Sequence, residues 1–213
     1  MSIVIPAYNA ETSIGDLLAE VCRQADGIAD ILVVDDGSTD RTAERVLESG
    51  VRCVRQINAG PANARNVGAG MAVGEVLVFL DSDLVPAPDA LKRMLAPFAD
   101  LRVDAVQGVY KSRQSSLLAQ YCQAEIDYKQ RRCIRHVFID SINAAVFAIR
   151  KSVFEEYGGF HAGFRMAAAE DTDLGFRMAR NGRRILFCPD VLAYHPQPEK
   201  LLIYLRLKFW RGY

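Results

Sequence analysis

A chain of 213 residues with 26 basic and 26 acidic side chains carries no formal net charge, and half of its residues are hydrophobic. That composition excludes a disordered, collagen-like or low-complexity chain, and neutrality argues against a general nucleic-acid binder, which needs a basic excess to offset backbone phosphates. The five cysteines, Cys22, Cys53, Cys122, Cys133 and Cys188, form no C-x-x-C pair, so reduced thiols in a cytosolic setting are expected rather than a disulfide framework or zinc knuckle.

In chain order, the first hundred residues alternate short β-branched runs with helix-patterned stretches. Residues 2–6 read as a strand, so no leader is expected before it. A helix follows over 11–25, a strand over 31–34, a helix opening near Thr39, and a strand over 51–57. A helical stretch at 61–72 leads into the apolar run 76–80, and 88–98 is again helical. Such alternation predicts a parallel sheet with helices on both faces, and uninterrupted apolar runs suit central strands buried on both sides.

The second hundred residues are organised differently. Strands are expected over 103–110 and 144–149, a long helix over 115–132 with a basic end at Arg131, Arg132 and Arg135, and a short helix over 152–157 closed by Gly158-Gly159. A helix over 170–181 has Gly182 in the stop position. Residues 185–187 and 191–194 read as two strands, and 199–213 as an amphipathic helix. No run of about 18 apolar residues is present, so no membrane span is expected. No linker interrupts the pattern, which predicts a single domain.

Ligands of open parallel sheets lie beyond the carboxyl ends of the strands, and acids recur there. One strand runs into Asp35-Asp36-Gly-Ser-Thr-Asp40, another into Asp81-Ser82-Asp83, and the helix at 170 opens with Glu170-Asp171-Thr-Asp173. Taken singly, each cluster is equally well explained as turn and cap chemistry, or as acids complementing a helix dipole. Taken together, carboxylates converging on one cleft repel unless a cation or hydrogen-bond donors lie between them, which points to a metal or ligand. The Asp81-Ser82-Asp83 spacing sends both carboxylates to one side if the segment is extended. Oxygen ligands of this kind suit Mg²⁺ or Mn²⁺ carrying phosphates.

Five motifs now stand in order: Ser-Ile-Val-Ile-Pro-Ala-Tyr-Asn at 2–9, Val-Asp-Asp-Gly-Ser-Thr-Asp at 34–40, Ala-Arg-Asn-Val-Gly at 64–68, Asp-Ser-Asp at 81–83 and Glu-Asp-Thr-Asp at 170–173. Over residues 2–195 the chain resembles the family 2 glycosyltransferases, inverting enzymes of the GT-A fold. The resemblance implies an α/β chain with a mostly parallel sheet. Residues 1–110 would form a nucleotide-sugar half, 111–195 an acceptor and catalytic half, and 196–213 the C-terminal helix. It also implies that the first strand and its loop, Pro6, Ala7 and Tyr8 through Glu11, hold base and ribose together with Asp35, which accepts from a base N–H. Asp36 would support that loop, with Arg65 and Ser82 near the nucleotide. Asp81 would contact ribose or the metal's water, and Asp83 would ligate Mg²⁺ or Mn²⁺ on the diphosphate. Asp171 matches the general base, with Glu170 beside it. His195 stands where relatives sometimes place a metal or diphosphate ligand; a turn residue before Pro196 is its other reading.

Inverting transfer is a single in-line displacement, which needs a base for the acceptor proton and an electrophile for the departing diphosphate, but no covalent nucleophile. The expected partners are a nucleotide-sugar donor, with UDP favoured over GDP or dTDP, and a sugar, lipid-linked or other hydroxyl acceptor, without nucleic acid. The expected placement is cytoplasmic, free or on the cytoplasmic face of a membrane. Residues 120–135 and 138–145 fall where the family builds its acceptor side, and 140–145 fit either a lining for donor sugar or acceptor or a polar loop leading into a core strand. Phe160-His161-Ala-Gly-Phe164 resembles the loop before the catalytic helix, with Gly158, Gly159 and Gly163 allowing it to move as a lid; His136 and His161 are expected in solvent. The tail, with Arg206, Lys208 and Arg211 among aliphatic and aromatic residues, fits either a helix at a membrane interface or one packed on the domain.

Rival readings fit less of the chain. A phosphoacceptor receiver domain needs about half this length and leaves Asp81, Asp83 and the helix at 170 unexplained. A nucleotidyltransferase or Rossmann dehydrogenase lacks its Gly-rich first loop. A catalytically idle nucleotide-sugar-binding scaffold of the same fold is the remaining alternative. Setting aside Asp35, Asp36, Asp40, Asp81, Asp83, Glu170, Asp171 and Asp173 as cleft acids leaves 18 acids against 26 bases. Overall neutrality thus conceals a basic body, which leaves an anionic acceptor or membrane open.

Overall fold

The computed structural model describes residues 1–25, 27, 29–134, 137–163 and 169–210. Their strands are β1 (Ser2–Ala7), β2 (Asp30–Asp35), β3 (Arg52–Arg55), β4 (Val76–Leu80), β5 (Val85–Pro86), β6 (Ala105–Lys111), β7 (Phe138–Ile139), β8 (Val146–Arg150) and β9 (Ile185–Tyr194). The helices are α1 (Ile14–Ala25), α2 (Thr42–Glu48), α3 (Pro61–Met71), α4 (Ala90–Leu95), α5 (Leu117–Ile134), α6 (Lys151–Glu156), α7 (Glu170–Arg180) and α8 (Leu201–Trp210).

The strands form one sheet in the order β3-β2-β1-β4-β8-β6-β9-β5, with β7 on β9. β1 to β4 run parallel, β8 runs against both β4 and β6, and β9 is parallel to β6. With β5 and β7 antiparallel to β9, six strands share one direction and three oppose it. The mostly parallel sheet is therefore observed.

Alternate residues of β1 point to opposite faces. Ile3 and Ile5 pack with Ile14, Leu17, Leu18 and Val21 of α1. Val4 packs on the other side with Ala62 and Ala69 of α3 and with Phe147. Helices thus cover both faces, and each fully buried aliphatic side chain contributes about 1.5–3 kcal/mol. A Cβ on Gly68 would lie 2.3 Å from Val4 Cγ1; α3 reaches β1 this closely because residue 68 has no side chain.

Several boundaries differ from the sequence pattern for local reasons. α1 begins at Ile14 because Ser13 and Ile14 N–H close a turn on the Ala10 carbonyl. Helix α4 gives way to a 3-10 turn at Ala96–Ala99, where Pro97 has no N–H to continue an α-helix. β5 and β7 are two-residue pairings with β9 that no periodicity reveals. Residues 185–194 form one strand rather than two, because the register jumps from Gln107↔Phe187 to Val109↔Leu192 and the segment between bulges out of the ladder. Among the described residues, no helix is long and apolar enough to cross a membrane.

This topology decides where chemistry can gather. The carboxyl ends of β1, β2, β3, β4, β6 and β9 lie at one sheet edge, and the loop entering antiparallel β8 arrives there as well, since Val146 pairs with Leu80.

Candidate active site

The first loop is woven into the loop after β2. Asn9, at φ 51°, accepts from Thr39 N–H on its amide oxygen, while its own N–H donates to Ser38 Oγ. Glu11 N–H donates to Asp40, and the Glu11 carboxylate accepts from Arg41 N–H at 3.2 Å. Pro6 and Ala7 are buried within β1, and Tyr8 reaches solvent, 53% exposed. Glu11 and Asp40 therefore brace the loop.

The paired acids after β2 have separate surroundings. Asp36 accepts from Ala59 N–H at 2.8 Å, Gly60 N–H at 2.9 Å and the Gln56 amide at 2.7 Å. Buried at the amino end of α3, it satisfies backbone donors and complements the helix dipole; its carboxylate thus serves residues 56–60 rather than supporting the first loop as expected. Asp35 is fully buried. Its Oδ1 accepts from Ser38 N–H at 2.9 Å, and its Oδ2 has no hydrogen-bond partner.

Asp81, Ser82 and Asp83 do not form the extended segment that same-side carboxylates require. Leu84 N–H donates to Asp81 O, closing a turn, and the two acids diverge. Asp81 pairs with Arg65 at 2.6 Å, whereas Asp83 Oδ1 lies 3.4 Å from His195 Nε2. Ser82 sits half-buried between them.

His195 is placed by β9, packs 5.2 Å from the Tyr110 ring, and meets the Pro196 carbonyl through Nδ1 at 2.5 Å. A carbonyl only accepts, so Nδ1 is the donor in this contact, and Nε2 is the ring atom that faces the Asp83 carboxylate. No group of three or more His, Cys, Asp or Glu side chains among the described residues could hold a metal. A cation that keeps substrate oxygens and water in its shell needs only one or two protein ligands, so Asp83 and His195, beside Asp81, fit Mg²⁺ or Mn²⁺.

Arg65 joins this turn to the helix at 170. It is 4% exposed, gives Nη2 to Asp81 and gives Nη1 to Glu170 at 3.1 Å, while its guanidinium lies 5.6 Å from the Phe160 ring. Glu170 is itself buried, so the pair lies in a low dielectric where geometry is strongly specified. Asp171 then faces the loop before β8, its Oδ2 accepting from Ala144 N–H at 3.2 Å and its Oδ1 from Thr172 N–H at 2.7 Å. Burial, and next the neighbouring Glu170, push the Asp171 carboxyl above the ordinary carboxylate range, against the opposing pull of those N–H groups and Arg65. Ala145 O accepts from Asp81 N–H at 3.3 Å, so the same loop touches both the Asp81 turn and Asp171.

Sequence reasoning missed that loop's supports. Buried Gln107 accepts from Asn143 N–H at 2.6 Å, and the Asn143 amide donates to Tyr110 Oη at 3.4 Å. A Cβ on Gly175 would lie 2.9 Å from the Ser141 backbone, so α7 seats against the loop because residue 175 is glycine.

The lid expectation is corrected at its start. Asn66 clamps Phe160 in both directions, at 2.7 and 2.9 Å, and Arg177 holds the Tyr157 and Gly159 carbonyls. Gly158 and Gly159 adopt φ of 69° and 71° within this pinned turn, so their freedom serves a fixed fold. His161 is exposed, as expected; Arg135, His136, Phe164 and Arg211 lie outside the described residues.

The tail helix α8 is not the amphipathic helix expected over 199–213, since its apolar residues are spread around the axis rather than gathered on one face. Lys208 pairs with Glu125 of α5 at 3.0 Å and Tyr204 packs on Tyr121, while Leu201, Leu202, Ile203, Leu205 and Phe209 are exposed. Tyr204 and Lys208 thus contact the body, while Arg206 and most of the apolar residues stay exposed.

A model of glycosyl transferase family 2 matches residues 2–167. The chain is 35% identical over 142 residues to an undecaprenyl-phosphate 4-deoxy-4-formamido-L-arabinose transferase of Pectobacterium carotovorum, covering 62% of this chain and 43% of that protein. It is 27% identical to a pre-mycofactocin glycosyltransferase of Mycobacterium tuberculosis, over 100% of this chain and 46% of the relative. The chain thus spans about half the length of the curated relatives it matches. Its fold is shared with a mannosyltransferase of Pyrobaculum calidifontis solved with GDP-Man and Mn²⁺, at TM-score 0.79 and 24% identity over 98% of this chain and 60% of that one. It is also shared with glucosyl-3-phosphoglycerate synthase of Mycobacterium tuberculosis solved with Mn²⁺ and UDP-glucose, at TM-score 0.66 and 22% identity over 96% and 73%.

Proposed function

The chain belongs to glycosyl transferase family 2, and from that membership and the cleft we propose that it transfers a sugar with inversion from a nucleoside-diphosphate donor, a UDP-sugar foremost, to an acceptor hydroxyl or phosphate. The observation that carries this reading is the Arg65 bridge, which ties the Asp81 turn to Glu170 and Asp171 in one cleft. Donor and base groups would then flank one reacting centre.

Asp171 takes the acceptor proton. Its carboxylate is aimed by Ala144 N–H, and partial burial makes it a stronger base than a solvated aspartate. Glu170, neutralised by Arg65, positions the first turn of α7. Asp35 and Tyr8 hold the base, and Asp81 and Ser82 the ribose side. Asp83 and His195 would hold Mg²⁺ or Mn²⁺, whose charge would stabilise the departing diphosphate.

Thermal unfolding with UDP, GDP and dTDP, each with and without Mn²⁺, tests the donor side. Ligand at 100 times Kd stabilises by about 2.7 kcal/mol, which for a chain of this size is a shift of roughly 5–10 °C. The shift is expected to require Mn²⁺ and to vanish in Asp83→Ala. A nucleotide shift without release of nucleoside diphosphate from any sugar donor would mark an idle binding protein instead.

The Pectobacterium relative is named for a lipid phosphate acceptor. An acceptor of that class, held at a membrane surface, suits the exposed apolar residues of α8 and the exposed Leu117, Tyr121 and Tyr128 of α5. The chain is expected to float with anionic vesicles, and Leu202→Glu with Phe209→Glu to stay in the pellet. An intact chain that fails to float removes the membrane from the proposal.

A further inference from the structure

We infer that Arg55, which no motif singled out, determines base specificity. Paired with Asp35, it reads the lactam edge of the donor base, an N–H beside a C=O. The inference rests on the donor reading above and deepens it from a nucleotide to a class of base.

Three neighbouring parallel strands deliver the groups. Ala7 and Asp35 are register partners, as are Asp35 and Arg55, so these three stand side by side at the sheet edge, with Tyr8 the next residue after Ala7. Asp35 Oδ2 is buried with no hydrogen-bond partner. An ionised oxygen in that state costs stability unless a ligand donates to it. Arg55 Nε lies 3.3 Å from Oδ2, close enough for charge attraction but outside hydrogen-bond geometry. The guanidinium is anchored elsewhere, with Nη2 donating to the Ser38 carbonyl at 2.7 Å, while Ser38 N–H holds the other Asp35 oxygen. One residue's backbone therefore fixes both groups, and the Arg55 side chain remains 63% exposed toward a ligand.

An acceptor beside a donor is complementary to N3–H and C4=O of uracil or thymine, and to N1–H and C6=O of guanine. Cytosine and adenine present the reverse order, a ring lone pair beside an amino group, which would set lone pair against carboxylate and N–H against guanidinium. Sites built around such pairs discriminate strongly because the wrong base leaves buried groups unpaired.

Calorimetric titration of the full chain with UDP, GDP, CDP and ADP in Mn²⁺ tests this. The wild type is expected to favour UDP or GDP over CDP and ADP by at least about tenfold. Arg55→Met, checked for an unchanged melting temperature, is expected to narrow the lactam-over-CDP ratio about tenfold. Asp35→Asn, which supplies an amide donor, is expected to move it toward CDP. Equal weakening for every base in Arg55→Met, or a wild-type preference for CDP or ADP, overturns the inference while leaving the donor reading intact. Failure of the wild type to bind any of the four overturns the donor reading itself, and this inference with it.

Discussion

Asp171→Asn is expected to lower transfer by about 10²–10⁴-fold, the usual contribution of a positioned general base, with Mn²⁺-dependent nucleotide binding retained. Asparagine keeps the shape and can still accept from Ala144 N–H, but it cannot take a proton. The pH profile follows from the raised carboxyl of Asp171. Activity requires the ionised form, so the rate falls as pH drops through that pKa, on a limb lying above the range of an ordinary aspartate. Stability carries the opposite sign. A folded-state pKa above the unfolded one gives stabilisation that is present below the unfolded value and lost as pH rises through the folded value. At neutral pH the fold therefore bears a disfavoured charge, and Asp171→Asn is expected to melt higher than wild type while transferring less. Initial rates against pH and paired melting curves check both. A variant that keeps near wild-type transfer removes Asp171 from the base position.

The parallel half of the fold was legible because β1, β2 and β4 are short apolar runs buried within the sheet, whereas the edge strand β3, with Arg52 and Arg55 exposed, carries a weaker signal. The carboxylates were legible as a recurrence at strand ends, but their individual uses were not. Of the eight acids counted toward the cleft, Asp36 takes the donors before α3, Asp40 caps the loop beside Thr42, and Asp173 pairs with Arg177 along α7. Turn chemistry and site chemistry use the same residue types, so only partners separate them. Residues 140–145 were legible as a loop that could line the site, but the contacts of Ala144 with Asp171 and of Asn143 with Tyr110, and of Tyr110 with His195, were not, because they depend on the antiparallel insertion of β8 and the register of β6 on β9, neither of which is written in local periodicity. The tail showed its composition but not its orientation. Its contacts hang on a single acid of α5, Glu125, which holds Tyr204 and Lys208 against the body.

The Arg65 bridge makes the second large prediction. Removing one member of a buried ion pair leaves the others desolvated and uncompensated, at a cost of about 3–5 kcal/mol. Arg65→Met is therefore expected to unfold roughly 6–20 °C earlier, because it strands both Asp81 and Glu170. Arg65→Lys keeps the charge but offers a point ammonium in place of a planar fork, so it is expected to hold one carboxylate and release the other. The catalytic consequence differs from simple instability. With Glu170 released, the first turn of α7 loses its tether to the Asp81 turn, and the Asp171 carboxylate is no longer held at a fixed position relative to the donor. At a temperature where Arg65→Lys remains folded, kcat is expected to fall more than KM for the donor rises. A double-mutant cycle with Glu170→Gln isolates the coupling: if Arg65 acts through Glu170, the second substitution adds little further loss of kcat. Full additivity in kcat would show that Arg65 acts on the nucleotide alone, and that Asp171 is positioned without it.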